Sequence, residues 1–108
     1  MKTINADEVQ SKLTANEDVI LVNALGADIF RAKHIPGSVN IPAGKLEELA
    51  EQILPDKDQE IIVYCSSPSC TASPTAAQKL IDLGYSNIFD FEVGLTGWLN
   101  EGYSLTRA

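Results

Sequence analysis

Two short, wholly apolar runs restrict the fold of this chain more than any other feature. Residues 19–22 (VILV) and 61–64 (IIVY) show no polar alternation, which is typical of strands buried on both faces of a parallel sheet. A segment with helical character follows each run. Because parallel strands need crossover connections, the sequence predicts an α/β fold with a mostly parallel sheet and helices on both faces.

Capping residues predict where the helices begin and end. Asn5, with Glu8 three residues later, has the pattern of a capping box at the start of the first helix. Ser73 as N-cap, Pro74 at the first helical position and Gly84 after the last are predicted to bound the helix after the second apolar run. The other predicted elements are an extended start at residues 3–4, a short helix over 28–32, a turn at 36–37, a brief strand at 38–41, a helix with Leu46, Leu49 and Ile53 that ends before Pro55, and a last strand and short helix within 87–103.

Length and composition limit the classes of function. The chain has 108 residues, 44% of them hydrophobic, so a single domain over residues 1–108 with its own core is expected. Eight Lys and Arg against fifteen Asp and Glu give a net charge of -7, the wrong sign for binding nucleic acid or an anionic membrane. No run approaches the roughly 18 apolar residues of a membrane span, and no apolar signal region begins the chain. We therefore expect a cytoplasmic protein.

Two cysteines, Cys65 and Cys70, lie in the loop CSSPSC after the second apolar run. Ligands of parallel sheets bind beyond the carboxyl ends of the strands, so this loop is the expected site. Backbone N–H groups of the loop and of the following helix are expected to stabilise a thiolate on Cys65 and to lower its pKa. By its position alone, Cys65 is equally well a small buried hydrophobe at a strand end. The small residues of the loop, which are poor core material, favour a reactive thiol.

The segments HIPGSVNIP (34–42), IIVYC (61–65) and AAQKLIDLGYSNIFDFEVGLTGW (76–98) together resemble the rhodanese-like domain, over about residues 4–105. The resemblance implies a five-stranded, mostly parallel sheet and a sulfurtransferase that needs no cofactor. It implies that Cys65 is the catalytic cysteine, which carries sulfane sulfur as a persulfide. Thiosulfate or a persulfide, including a protein persulfide, is the implied donor, and cyanide or a thiol is the implied acceptor. The residues matching the family's substrate-binding loop are Ser66, Ser67, Pro68, Ser69, Cys70 and Thr71.

The chain departs from the family pattern at charged positions. Asn23 and Leu25 stand where the family often has Asp-x-Arg, and Cys70 occupies a position that is often arginine. Residues 61–78 contain no charged side chain at all. A dianion such as thiosulfate prefers cationic surroundings, so we predict a protein or low-molecular-weight persulfide as the natural donor. The lack of a loop arginine also disfavours phosphoryl transfer.

Two interpretations of Cys70 stay open. It is either a resolving thiol that forms a reversible disulfide with Cys65 or a small residue that packs inward. A zinc site is disfavoured, because two cysteines at this spacing with the lone His34 lack the paired ligands of structural sites, and no metal is expected. His34 itself is predicted to hold its turn through hydrogen bonds. The alternative to an enzyme is a non-catalytic rhodanese-like module that binds a partner or senses oxidants through Cys65 and Cys70.

The hydroxyl groups of the loop also have two interpretations. They either donate hydrogen bonds to the persulfide or only cap the loop and the helix that follows it. The residues concerned are Ser66, Ser67, Ser69 and Thr71.

Overall fold

The computed structural model describes residues 2–15 and 17–108. The strands are β1 (Lys2–Thr3), β2 (Val19–Asn23), β3 (Val39–Asn40), β4 (Glu60–Tyr64) and β5 (Ile88–Phe91). The helices are α1 (Ala6–Thr14), α2 (Ala27–Ala32), α3 (Leu46–Ile53), α4 (Ala72–Asp82) and α5 (Gly94–Asn100), and a 3-10 turn (Ala43–Lys45) precedes α3. The strands form one sheet in the order β1-β5-β4-β2-β3, and every pairing is parallel.

β4 lies at the centre of the sheet, between β5 and β2. Its side chains alternate between two hydrophobic layers: Ile61 and Val63 face the layer formed with α3 and α4, and Ile62 and Tyr64 face the layer formed with α1 and α5. All four side chains are fully buried. This double burial explains why the run has no polar residue, and it confirms the predicted α/β fold with helices on both faces.

The first helix begins as its sequence predicts. The N–H of Glu8 donates to Asn5 Oδ1 at 2.8 Å, and the N–H of Asn5 donates to Glu8 Oε1 at 3.1 Å, which together form the capping box. The short helix at α2, the brief strand at β3 and the helix at α3 are confirmed as well.

The predicted start of α4 is wrong. The helix begins at Ala72 after Thr71, so Ser73 lies inside the first turn and is not the N-cap. The physical reason is that the hydroxyl of Ser73 donates to the buried Asp90 instead of capping the helix. Pro74 is tolerated there because the first four helical N–H groups have no partner within the helix. The predicted end is confirmed, with Gly84 just past α4 at a φ of 100°.

In the part of the chain that the structure describes, no helix combines the length and the apolar character that a membrane crossing requires.

Candidate active site

A β-turn folds the loop that follows β4. The N–H of Cys70 donates to the carbonyl oxygen of Ser67 at 3.0 Å, so residues 67–70 form a four-residue turn with Pro68 in its second position. Proline suits this position because its φ is already fixed near the required value, and serine is common at the first position. The turn bends the chain back and brings the Cys70 thiol near the Cys65 thiol, so that each shifts the pKa of the other.

The start of α5 holds the base of this loop against the sheet. The N–H of Leu95 donates to the carbonyl oxygen of Cys65, and the N–H and hydroxyl of Thr96 donate to that of Ser66, all at 3.0 Å. Gly94 has a φ of 58°, and a Cβ atom there would overlap the Cys65 carbonyl. The close approach of α5 to the loop thus depends on glycine at this position.

Cys65 directly follows the central strand β4 and is fully buried. The N–H of Ser73, in the first turn of α4, points at its sulfur at 3.4 Å. Burial raises the pKa of the Cys65 thiol, the hydrogen bond with Cys70 raises it further, and the hydrogen bonds from Ser73 offset only part of this. The expectation of a lowered pKa at Cys65 is therefore wrong, because desolvation outweighs the backbone donors.

Cys70 is half-buried, and the pKa of its thiol is lowered. Burial acts to raise this pKa, but hydrogen bonds from the Cys65 thiol and from the N–H groups of Ser66 and Ala72 together outweigh it. The backbone donors of the loop thus converge on the sulfur of Cys70. Because each thiol shifts the pKa of the other, the two titrate as a pair, and Cys70 loses its proton before Cys65.

Asp90 and Ser73 form a buried polar pair that the sequence analysis did not include in the site. The hydroxyl of Ser73 donates to Asp90 Oδ1 at 2.8 Å; Asp90 is 4% exposed and Ser73 is fully buried. Burial raises the pKa of Asp90, the hydrogen bond from Ser73 partly offsets this, and the charge of Glu92 raises it again. The available signal was an aspartate inside the apolar strand NIFDF, since carboxylates are rarely buried without a specific partner.

A second buried network occupies the region of the missing Asp-x-Arg pair. The side-chain amide of Asn23 donates to the hydroxyl of Tyr64 at 3.0 Å, and the N–H of Ile35 donates to the same oxygen at 3.0 Å. Ser38 Oγ lies 2.8 Å from it, while Asn23 Oδ1 accepts from the N–H of Leu25 at 2.9 Å. A neutral network therefore joins β2 and β4 to the turn that follows His34.

The structure separates the predicted loop residues into different roles. The hydroxyl groups of Ser67 and Ser69 lie 3.1 Å apart and interact with each other, the hydroxyl of Ser66 hydrogen-bonds with Cys70, and the side chain of Thr71 makes no capping hydrogen bond to α4. Pro68 and Ser69 are exposed at the tip of the turn.

His34 makes the contacts of a residue that holds its turn. Its Nδ1 lies 2.7 Å from the carbonyl oxygen of Phe30, its ring stacks on the Phe30 ring at 3.9 Å, and its backbone pairs with that of Thr106. Among residues 2–15 and 17–108, no three His, Cys, Asp or Glu side chains are grouped so as to hold a metal ion.

The model of the rhodanese-like domain family matches residues 5–101. The chain belongs to the rhodanese-like domain family. This match includes the loop after β4 and the glycine-containing start of α5, and the five-stranded parallel sheet is the one that the resemblance implied.

Three relatives of this rhodanese-like chain are between 26% and 35% identical to it. Adenylyltransferase and sulfurtransferase UBA4 of Candida albicans is 35% identical over 88 residues, which are 76% of this chain and 20% of that protein. YibN of Escherichia coli K12 is 31% identical over 112 residues, covering 99% of this chain and 73% of YibN. The crystal structure of thiosulfate sulfurtransferase from Pseudomonas aeruginosa matches with a TM-score of 0.88 at 26% identity, over 99% of this chain and 20% of that one. The chain thus spans about a fifth of the length of two of these proteins.

Proposed function

We propose that this protein is a sulfurtransferase that accepts sulfane sulfur on Cys65 as a persulfide and passes it to a thiophilic acceptor. The position of Cys65 carries the proposal: it directly follows the central strand at the carboxyl edge of the sheet, and the first turn of α4 directs an N–H at its sulfur. The membership in the rhodanese-like family, and relatives named as sulfurtransferases, support the same assignment. A cytoplasmic location, where both cysteines stay reduced, belongs to the proposal.

The chemistry begins with proton transfer between the two thiols. The thiol of Cys65 passes its proton to the hydrogen-bonded thiolate of Cys70, and the Cys65 sulfur attacks the outer sulfur of the donor. The donor's S–S bond breaks, the remainder of the donor leaves as a thiolate, and the sulfane sulfur stays on Cys65. An acceptor thiol or cyanide then takes this sulfur and restores Cys65. Because Cys65 is fully buried, loading requires the groups that cover its sulfur to move aside.

We further propose a persulfide, on a small thiol or on a protein, as the donor in place of thiosulfate. The uncharged stretch over residues 61–78 offers a thiosulfate dianion no cationic partner. The backbone donors present converge on Cys70, whose own negative charge opposes the approach of a dianion.

The Cys70→Ser variant tests the assignment of Cys65. Treatment with glutathione persulfide is expected to add about 32 Da, one sulfur atom, to the peptide that contains Cys65. The matched control is Cys65→Ala/Cys70→Ser, which should gain nothing. Absence of the adduct from Cys70→Ser with every sulfane donor would contradict the proposed sulfurtransferase.

A second candidate function is a redox-sensing module without transferase activity. The observation that favours it is the contact between Cys65 and Cys70 in a loop that lacks cationic groups. In that case a mild oxidant should join the two cysteines in a disulfide, while no sulfane donor should leave a persulfide on Cys65 in the Cys70→Ser variant.

A further inference from the structure

We propose that Cys70 is the internal acceptor of the persulfide, so that the cysteine pair reduces sulfane sulfur to sulfide. Once Cys65 carries a sulfane sulfur, Cys70 returns to the outer sulfur of the persulfide the proton that it accepted during loading. The resulting thiolate of Cys70 attacks the sulfur of Cys65, HS⁻ leaves, and a Cys65–Cys70 disulfide remains. This inference rests on the proposed function of Cys65 and adds its acceptor and its product.

The loop geometry places the attacking atom next to the atom attacked. The turn closed by the Cys70 N–H and the Ser67 carbonyl at 3.0 Å returns the chain toward the end of β4, and the two thiols lie near enough for each to shift the pKa of the other. Cys70 is thus placed beside the Cys65 sulfur that it would attack. Attack at this inner sulfur therefore needs less movement than attack at the outer sulfur of a persulfide.

The surroundings of Cys70 are those of a nucleophile. The N–H groups of Ser66 and Ala72 and the hydroxyl of Ser66 hydrogen-bond to its sulfur, and the pKa of the thiol is lowered as a result, although burial opposes this. Thiol–disulfide exchange proceeds through a thiolate, so the loop prepares Cys70, rather than Cys65, for the attacking role.

Burial restricts the competing acceptors. Cys65 is fully buried, so cyanide or a free thiol reaches a persulfide there only after the groups that cover its sulfur move. Cys70 is already in contact and needs no such opening. An intramolecular reaction between groups held together has an effective concentration far above that of a dissolved acceptor.

The step balances without any co-reactant from outside. The S–S bond of the Cys65 persulfide breaks, and the sulfane sulfur leaves as HS⁻ with the electron pair of that bond. A new S–S bond forms between Cys65 and Cys70. The two cysteines thereby lose two electrons, and the sulfane sulfur gains them. A second turnover requires a dithiol reductant, which takes up the disulfide and restores both thiols.

A single-turnover experiment on the full chain tests the inference. The reduced protein is first freed of its reductant, then receives one equivalent of glutathione persulfide, and no further thiol is added. Sulfide is trapped with monobromobimane, and the protein is analysed by intact and peptide mass spectrometry. We expect about one equivalent of sulfide and a protein about 2 Da lighter, with Cys65 and Cys70 joined. After dithiothreitol has reduced the disulfide and has been removed, a second equivalent of glutathione persulfide should give a second, equal release.

Two variants provide the controls. Cys70→Ser should hold its persulfide on Cys65 and release less than about a tenth of the sulfide. Cys70→Ser/Ser86→Cys keeps two thiols but moves one to an exposed position before β5, at the opposite edge of the sheet, and should also hold its persulfide. Either a lasting Cys65 persulfide in the natural protein or a persulfide recovered on Cys70 would overturn the inference and leave the sulfurtransferase proposal standing. No adduct in Cys70→Ser would overturn both.

Discussion

At the scale of single residues, the lowered thiol pKa that the sequence predicts for Cys65 is found at Cys70 instead. Cys65 is fully buried with a raised pKa, and Cys70 is half-buried with a lowered one. A loop without charged side chains stabilises a thiolate mainly through its backbone N–H groups. In this loop the N–H groups of Ser66 and Ala72 lower the pKa of Cys70. Burial sets the direction of the pKa shift at Cys65, because Ser73 is the single donor to its sulfur among the described residues.

This reversal predicts the order in which iodoacetamide alkylates the two cysteines. A lowered pKa means that the thiolate of Cys70 persists as pH falls below the ordinary thiol range, whereas Cys65 becomes a thiolate only above it. Cys70 should therefore react first, with a pH midpoint below that of an exposed thiol. Peptide mass spectrometry of samples quenched at several pH values measures both rates. The reference thiol is Ser86→Cys in a Cys65→Ser/Cys70→Ser background, and a midpoint for Cys70 equal to that of the reference would contradict the prediction.

At the scale of elements, the active loop is attached to the sheet by the first turn of α5. Leu95 and Thr96 donate to the carbonyl oxygens of Cys65 and Ser66, and this contact is possible because Gly94 has no Cβ atom. The side chain of Val93 fills the space beside Gly97, where a Cβ atom would overlap it. The helix thus supplies hydrogen bonds and close packing to the base of the loop.

Gly94→Ala is expected to destabilise the protein and to loosen the loop. The added methyl group meets the backbone of Cys65, and the φ of 58° at position 94 is unfavourable for alanine. We therefore expect a loss of about 1–3 kcal/mol in the free energy of unfolding. Urea denaturation measures this loss, and faster alkylation of Cys65 reports the loosened loop. Gly44→Ala is the matched control, because a Cβ atom there meets nothing within 4 Å. Equal stability of the two variants would show that the contact with Cys65 does not restrict the loop.

At the scale of the whole molecule, the sequence predicts the architecture well because burial leaves a direct mark on residue type. The apolar runs at 19–22 and 61–64 become the two adjacent central strands β2 and β4, and helices cover both faces. The electrostatics of the site could not be predicted in the same way. They depend on a turn that brings Cys70 to Cys65, and on the pairing of Asp90 with Ser73 from elements 17 residues apart. Such contacts arise only when the chain has folded.

The net charge of -7 and the uncharged loop together predict how the protein discriminates between donors. Thiosulfate is a dianion, so a cation at the exposed tip of the turn should raise kcat/KM for thiosulfate more than for a persulfide. Ser69→Arg is expected to raise kcat/KM for thiosulfate by about tenfold, which corresponds to roughly 1.4 kcal/mol and lies within the range of a hydrogen bond to a charged group. Steady-state assays with thiosulfate and with glutathione persulfide measure the two values side by side.

The control for this substitution separates a local charge from the charge of the whole molecule. Ser86→Arg changes the net charge equally but lies before β5, at the edge of the sheet away from Cys65. Fields from exposed charges are screened beyond about 10 Å at ordinary ionic strength, so this variant should keep the natural donor preference. An equal gain from both substitutions would mean that net charge alone limits the use of thiosulfate. A large preference of the natural protein for thiosulfate over persulfide would mean that the uncharged loop stabilises the dianion without cationic help, and would overturn the choice of a persulfide as donor.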